Sequence, residues 1–324
     1  MRWISDAAVG RLREVVDAPD LAGTKYELVG KIAHGGMGTV YVARDLDLDR
    51  EVALKVIRAP VASRDATARM MREARTLARL EHPGIVPVHD VGELPDGRIY
   101  YAMKLVRGGR LDEHARAGRS LPELLRIVGR ICEAVAFAHA HGVIHRDLKP
   151  ENIMVGAFGE VLVMDWGVAK LRGDASTAGQ STDKGSTRVA DEGPHTGDGT
   201  VLGTPGYMAP EQASGAVQLI DGRTDVYALG AILSFVMGIG GAPIPRPLAA
   251  IAARARAAEP AARYQRVDDL AADIEAWLAG LPVSAYRERL HERLWRVAVR
   301  HRTPILLVLA YLLMRTLLLL APAG

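Results

Sequence analysis

The stretch IHRDLKPEN at 144–152 sets Asp147, Lys149 and Asn152 at short fixed offsets. Pro150 blocks a continuous helix through it, so the three side chains belong to one tight loop. Thirteen residues past Asn152, the apolar run VLVMDWG releases Asp165 beside a tryptophan and a glycine. Upstream, VALK places Lys55 on a strand between Ala53-Leu54 and Val56-Ile57, where a surface lysine is not expected. Glu73 falls in the helical pattern SRDATARMMREARTLARL that follows, and the glycine-rich KIAHGGMGTVYVARD precedes them all. Such residue types can take up a proton, offer oxygen ligands to a hard cation and hold an anion. Each piece alone is weak, because a glycine-rich stretch is commonly just a turn.

The elements that must position these groups are read from the surrounding pattern. Strand-like runs VYVARD, EVALKVI and RIYYAMKLV alternate with one helical segment up to about residue 107. A helix follows, then short strands around NIMVG and EVLVMDW, and beyond residue 208 the chain is mostly helical to about 280. Residues 172–200 carry almost no large apolar side chain and read as loop. Apolar content of 49% with 24% charged residues suits a folded core. The single cysteine, Cys132, excludes an intramolecular disulfide or a cysteine-rich zinc site and reads as a small core residue. The net charge of +3 is concentrated at 287–302, with six arginines against two glutamates. The remainder is close to neutral, which argues against a nucleic-acid surface.

In this order, and with GTPGYMAPE at 203–211, the pieces resemble the protein-kinase signature. The chain is similar to eukaryotic-type (Hanks-type) bacterial serine/threonine protein kinases over about residues 26–280. The resemblance implies an α+β, bilobal fold: a β-rich N-lobe at 26–107 with one regulatory helix, and a mainly helical C-lobe at 108–280. It implies an activation segment at 165–211 and ATP-dependent phosphorylation of protein serine and threonine hydroxyls, autophosphorylation included. By the same resemblance, Lys55 holds the α- and β-phosphates and pairs with Glu73. Asn152 and Asp165 hold Mg²⁺, with Mn²⁺ as an alternative. Asp147 accepts or orients the substrate hydroxyl proton, and Lys149 steadies the moving phosphoryl group. Ile32, Ala33, Gly35, Gly36, Gly38, Val40 and Ala53 would cover the nucleotide. Met103 would gate the adenine pocket, with the backbone of Lys104 and Val106 bonding the base. Arg146 would pair with a phosphate on a residue such as Thr196 or Thr200, Thr204 would contact Asp147 and Lys149, and Glu211 would pair with Arg263. The alternative is a kinase-fold scaffold that binds ATP and partners with little turnover; GTPGYMAPE speaks against a small-molecule kinase.

Four departures qualify the resemblance. Ala33 stands where the first glycine of the loop is expected, which should limit positive φ and slow nucleotide exchange. Lys104 replaces a common glutamate. Trp166 replaces phenylalanine; it should pack against Leu77, Val88 and His145, needs a partner for its N–H, and should narrow the motion of the motif. The stretch between DVYALGAIL and Arg263 is short by roughly a helix, which bears on substrate docking.

Residues 1–25 have no long apolar core and read as a lead-in rather than a signal peptide. At the other end, 281–303 read as a basic amphipathic juxtamembrane segment and 304–322 as a transmembrane helix. Arg315 makes that balance narrow, and a surface-lying or partner-docking helix is the alternative. The expected setting is the cell membrane, single-pass or tail-anchored, with lipid as a partner and the kinase domain in the cytoplasm. Dimer formation is left open.

Overall fold

The structure is a computed structural model and describes residues 18–35, 38–57, 71, 74–75, 77–166, 206–239, 241–293 and 302–320. Strands β1 (Tyr26–Gly35), β2 (Gly38–Asp45), β3 (Arg50–Ile57), β4 (Val88–Glu93) and β5 (Ile99–Lys104) form the N-terminal lobe. They make one antiparallel sheet in the order β1-β2-β3-β5-β4. Alternate side chains of a strand face opposite ways, and the sheet has an apolar cluster on each face. Val52, Leu54 and Val56 enter one cluster with Tyr26, Tyr41, Tyr100 and Ala102. Ala53 and Ile57 enter the other with Ile99, Tyr101 and Met103. Lys55 shares the parity of Ala53 and Ile57, so the pleat alone aims its ammonium into the second cluster, opposite Tyr101 in register.

The C-terminal lobe is mainly helical around a small sheet. Strands β6 (Gly108–Arg110), β7 (Ile153–Gly156) and β8 (Val161–Val163) pair in that order. The helices are α1 (Leu111–Arg116), α2 (Leu121–Ala140), α3 (Pro210–Ala213), α4 (Gly222–Gly238), α5 (Arg246–Ala255) and α6 (Val267–Leu278). Helix α2 starts where Glu123 reaches back to the Ser120 N–H at 2.9 Å. Its buried Leu124, Leu125, Val128, Ile131, Cys132 and Val135 follow a 3.6-residue period and join one core with residues of α4 and α6. Burial pushes the Cys132 thiol up to about 12, so it is a packing residue without nucleophilic character at neutral pH.

Among the described residues between α4 and Arg263 the lobe holds a single full helix, α5. Packing continues past residue 280. Asp273 of α6 accepts the Tyr264 hydroxyl at 2.6 Å, the Ser284 N–H at 2.6 Å and hydroxyl at 2.8 Å, and the Ala285 N–H at 3.0 Å. These bonds staple residues 284–285 to the lobe beside the buried Val283.

A last helix, α7 (Arg302–Leu320), exposes Leu306, Leu307, Val308, Tyr311, Leu312, Leu313 and Met314. Among the described residues no helix is long and apolar enough to cross a membrane, so the spanning reading of 304–322 is not supported.

Candidate functional site

The groups singled out by spacing converge where the two lobes meet. Lys55 Nζ lies 2.6 Å from Asp165 Oδ1, joining β3 to the segment just past β8. Lys55 is nearly covered, whereas the Asp165 side chain is 37% exposed, so the pair opens to solvent on the acid side. Burial works against the Lys55 ammonium. Its interactions with Tyr101 and Asp165 outweigh that penalty and hold its pKa above the ordinary lysine value. The ammonium also stands 5.8 Å from the centre of the Tyr101 ring.

Asp165 is held by its neighbours rather than by its strand. The Met164 N–H donates to the Asn152 carbonyl at 2.8 Å, which seats Asp165 beside the loop carrying Asn152. The backbone of Asp165 is left-handed, with φ of 55°, a conformation that non-glycine residues adopt only where the surroundings impose it. Trp166 is buried, stacks on His145 with ring centres 4.8 Å apart, and donates its N–H to the Val163 carbonyl at 3.1 Å. Leu77 borders the same core, whereas Val88 packs with the cluster of Met103.

The loop at 145–152 is pinned from below by Asp225, the fourth residue of α4. This fully buried carboxylate accepts the backbone N–H of His145 at 2.8 Å and of Arg146 at 2.9 Å, and meets His139 Nε2 at 2.7 Å. Burial would raise its pKa, but His139 and these amides bring it below the ordinary aspartate value. Arg146 takes a left-handed φ of 66°, and Gln212 Nε2 donates to its carbonyl at 2.8 Å. His145 Nδ1 accepts from the Asp147 N–H at 3.2 Å, so its Nε2 carries the proton given to the Met164 carbonyl at 2.8 Å. Burial lowers the His145 pKa and keeps this ring neutral.

Asp147 faces the same space. Asn152 Nδ2 donates to its backbone carbonyl at 2.8 Å and to its Oδ2 at 3.3 Å, and Lys149 Nζ lies 3.5 Å from that Oδ2. The Asn152 amide nitrogen is committed to Asp147, which leaves its oxygen as the acceptor. That oxygen and the partly exposed Asp165 carboxylate are the hard donors a divalent magnesium-type cation requires. The donor set therefore fits such an ion. No cluster of three or more acidic, histidine or cysteine ligands exists among the described residues, so the remaining positions would fall to water and phosphate oxygens.

Above these groups lies the wall for a flat apolar ligand. Ala53 and Met103 are buried, and Val40, Val106 and Met164 are half-buried against them; Ile32 is exposed at the rim. The Lys104 N–H is already bonded to the Pro87 carbonyl at 3.0 Å, leaving only its carbonyl for a ligand. Gly35 and Gly38 pair at the tip of the β1–β2 hairpin. A Cβ at Gly38, with φ of 159°, would sit 2.3 Å from the Val56 carbonyl oxygen, so the close strand approach requires glycine there. Ala33 has no such demand on it. It pairs with Val40 in ordinary strand backbone next to a register shift, and the positive φ expected to be restricted at this position is not used.

Farther down, Glu211 and Arg263 meet in a bidentate pair at 2.7 and 2.8 Å. The other guanidinium donors go to the carbonyls of Ala257, Arg223 and Ala258, and Thr224 donates to Glu211 at 3.0 Å. Glu73, Gly36, Thr196, Thr200 and Thr204 lie outside the described residues. Asp225, Gln212 and Tyr101 are not singled out by spacing. For Asp225 and Tyr101 the available signal is a polar side chain inside an apolar run, DVYALGAIL and YYAMK, where a buried polar group requires a partner; Gln212, in APEQASG, carries no such signal.

The protein kinase domain model matches residues 26–259. The serine/threonine-protein kinase PknD of Protochlamydia amoebophila is 34% identical over 79% of this chain and 30% of its own length. The serine/threonine-protein kinase pkn3 of Myxococcus xanthus is 42% identical over 66% of this chain and 37% of its own. The chain spans 30–45% of the length of the curated relatives it matches. The crystal structure of the Mycobacterium tuberculosis PknI kinase domain aligns with a TM-score of 0.57 at 28% identity, over 79% of this chain and 96% of that one.

Proposed function

The chain belongs to the protein kinase family, and we propose that it transfers the γ-phosphoryl group of ATP to serine or threonine hydroxyls of proteins, its own activation segment included. The observation that carries this is the convergence of Asp147, Lys149 and Asn152 with the Lys55–Asp165 pair, tied together through the Met164–Asn152 backbone bond. Phosphoryl transfer asks the protein for positioning and charge rather than covalent chemistry. Lys55, held protonated among apolar neighbours, gives a fixed cation for phosphate oxygens. Asp147 receives the proton of an incoming hydroxyl, and its orientation is set by Asn152 and by the Asp225-pinned loop. Lys149 places a second cation next to the same carboxylate and meets the developing negative charge. Asn152 and Asp165 would hold a divalent ion, which when bound offsets phosphate charge. The choice of serine or threonine is that of the serine/threonine-protein kinases to which the chain is similar, and protein substrates follow from the family.

The same proposal places the enzyme at a membrane. Helix α7 spans about 28 Å at 1.5 Å per residue, short of the roughly 30 Å hydrocarbon core. Its exposed leucines and the arginine-rich stretch before it suit burial into an anionic leaflet. The full chain should co-sediment with vesicles containing phosphatidylserine and lose this on Leu312→Asp with Leu313→Asp.

The test of the catalytic reading is transfer of label from γ-³²P-ATP by the full chain with magnesium, followed by identification of the labelled amino acids. Label on serine or threonine that disappears in Asp147→Asn is the expected result. A folded protein that labels equally with Asp147→Asn, or places the label on tyrosine, would contradict it.

A further inference from the structure

We propose that Trp166 is a positioning residue for Asp165, acting through a hydrogen bond that phenylalanine cannot make; this rests on the phosphoryl-transfer reading above. The Trp166 N–H donates to the Val163 carbonyl at 3.1 Å, and the same oxygen takes the Val86 N–H at 3.3 Å. One carbonyl with two lone pairs therefore ties the tryptophan to the last residue of β8 and to the chain entering β4. The indole lies against His145, whose Nε2–H goes to the Met164 carbonyl at 2.8 Å. Met164 also gives its own N–H to Asn152. Residues on both sides of Asp165 are thus held, and its left-handed backbone is the conformation those anchors leave to it.

For Asp165 to swing away from Lys55, Trp166 must leave its slot and abandon a buried N–H, which costs more than sliding out an apolar ring of similar packing. A phenyl ring keeps the contact with His145 and leaves the Val163 carbonyl with one partner fewer. The consequence falls on Asp165 alone among the ligand-binding groups, since Lys55 is seated by β3 and the base-binding wall by β5. Trp166 therefore acts on the metal-dependent part of nucleotide binding and spares the metal-independent part.

The test is calorimetric binding of ADP to the full chain with and without magnesium, for wild type, Trp166→Phe and Asp165→Asn. The expected results are a wild-type affinity that tightens with magnesium and an Asp165→Asn protein that shows no tightening. In Trp166→Phe the tightening should shrink by about two- to tenfold, the worth of one such bond, with magnesium-free affinity unchanged. Full tightening in Trp166→Phe overturns the latch while leaving the kinase reading standing. Equal weakening with and without magnesium also overturns it, since that marks a general packing role. A wild-type chain that binds no ADP overturns both. Should the phenyl variant melt early, β-(3-benzothienyl)alanine at position 166, equal in size and lacking the N–H, carries the same comparison.

Discussion

The Lys55–Asp165 and Arg263–Glu211 pairs bring together the same kinds of charge, but their surroundings differ. Around Arg263 every donor is spoken for, the two side chains are 0% and 4% exposed, and the contact is bidentate. Thr224 adds a bond to the acid, and the guanidinium lies 5.1 Å from the Tyr227 ring centre. Around Asp165 one oxygen meets Lys55 and the carboxylate remains over a third exposed. A saturated pair has no capacity left for a ligand and spends its interactions on geometry, here the docking of α3 onto the 257–263 turn. An unsaturated pair at a lobe boundary keeps acceptors and a cation in reserve. The difference separates the part of the C-lobe that holds shape from the part that does chemistry.

The largest effect should come from breaking the saturated pair. Arg263→Ala leaves the Glu211 carboxylate buried and three carbonyls without their donor, at a cost of about 3–5 kcal/mol. Chemical denaturation should show this as a lowered midpoint at unchanged slope. Glu211→Leu combined with Arg263→Met should recover a large part of the loss, because an apolar pair carries no desolvation penalty. Failure of that rescue would mean that the three carbonyl bonds, rather than the charge pair, hold the turn.

A smaller effect is expected at the hairpin tip. Gly38→Ala drives a methyl group into the Val56 carbonyl, so β2 must shift from β3 next to Lys55. The cost is about 1–3 kcal/mol, and it should show mainly as a raised KM for ATP. Ala33→Gly should leave that KM within about twofold, since Ala33 occupies unstrained strand backbone.

The smallest is a pH effect. His145 is buried with its pKa lowered from the ordinary 6.5, so the unfolded chain binds the extra proton first. Its contribution to stability is complete above about pH 6.5 and declines as pH falls below that value; His89 and His114, lowered chiefly by burial, add in the same direction. Glu211, Asp225 and Asp273 have lowered pKa values, so their share persists above about pH 4 and is lost in stronger acid. Melting temperature followed from pH 8 to 3 should fall in these two stages. A flat profile from pH 7 to 5 would remove His145 from the account.

How much of this was legible in the sequence depended on whether a residue's partner was fixed by local pattern. The strand parity of VALK was enough to bury Lys55, and the spacing of IHRDLKPEN was enough to put Asp147 beside Asn152. The anchor of that loop was not legible. Asp225 sits four residues after the helix-capping Asp221 and reads as another polar residue of a first turn, yet folding carries it 79 residues back to the Arg146 amide. The backbone of Lys104 was expected to bond a base, and folding shows its amide already given to the Pro87 carbonyl, a partner just outside β4 that no local pattern names. Ala33 read as a defect because glycine is the usual choice, whereas in β1 it pairs with Val40 without a positive φ. Trp166 found its partner three residues away, a local solution that no periodicity rule points to.

The division of labour between the two pairs is tested most directly by Lys55→Met, with thermal melting and γ-³²P-ATP transfer measured on the same preparation. The account predicts a melting temperature within a few degrees of wild type, and transfer reduced by about 10²–10³-fold, the usual worth of one preorganised charge. A protein that melts far earlier yet still transfers phosphate at the wild-type rate would contradict it.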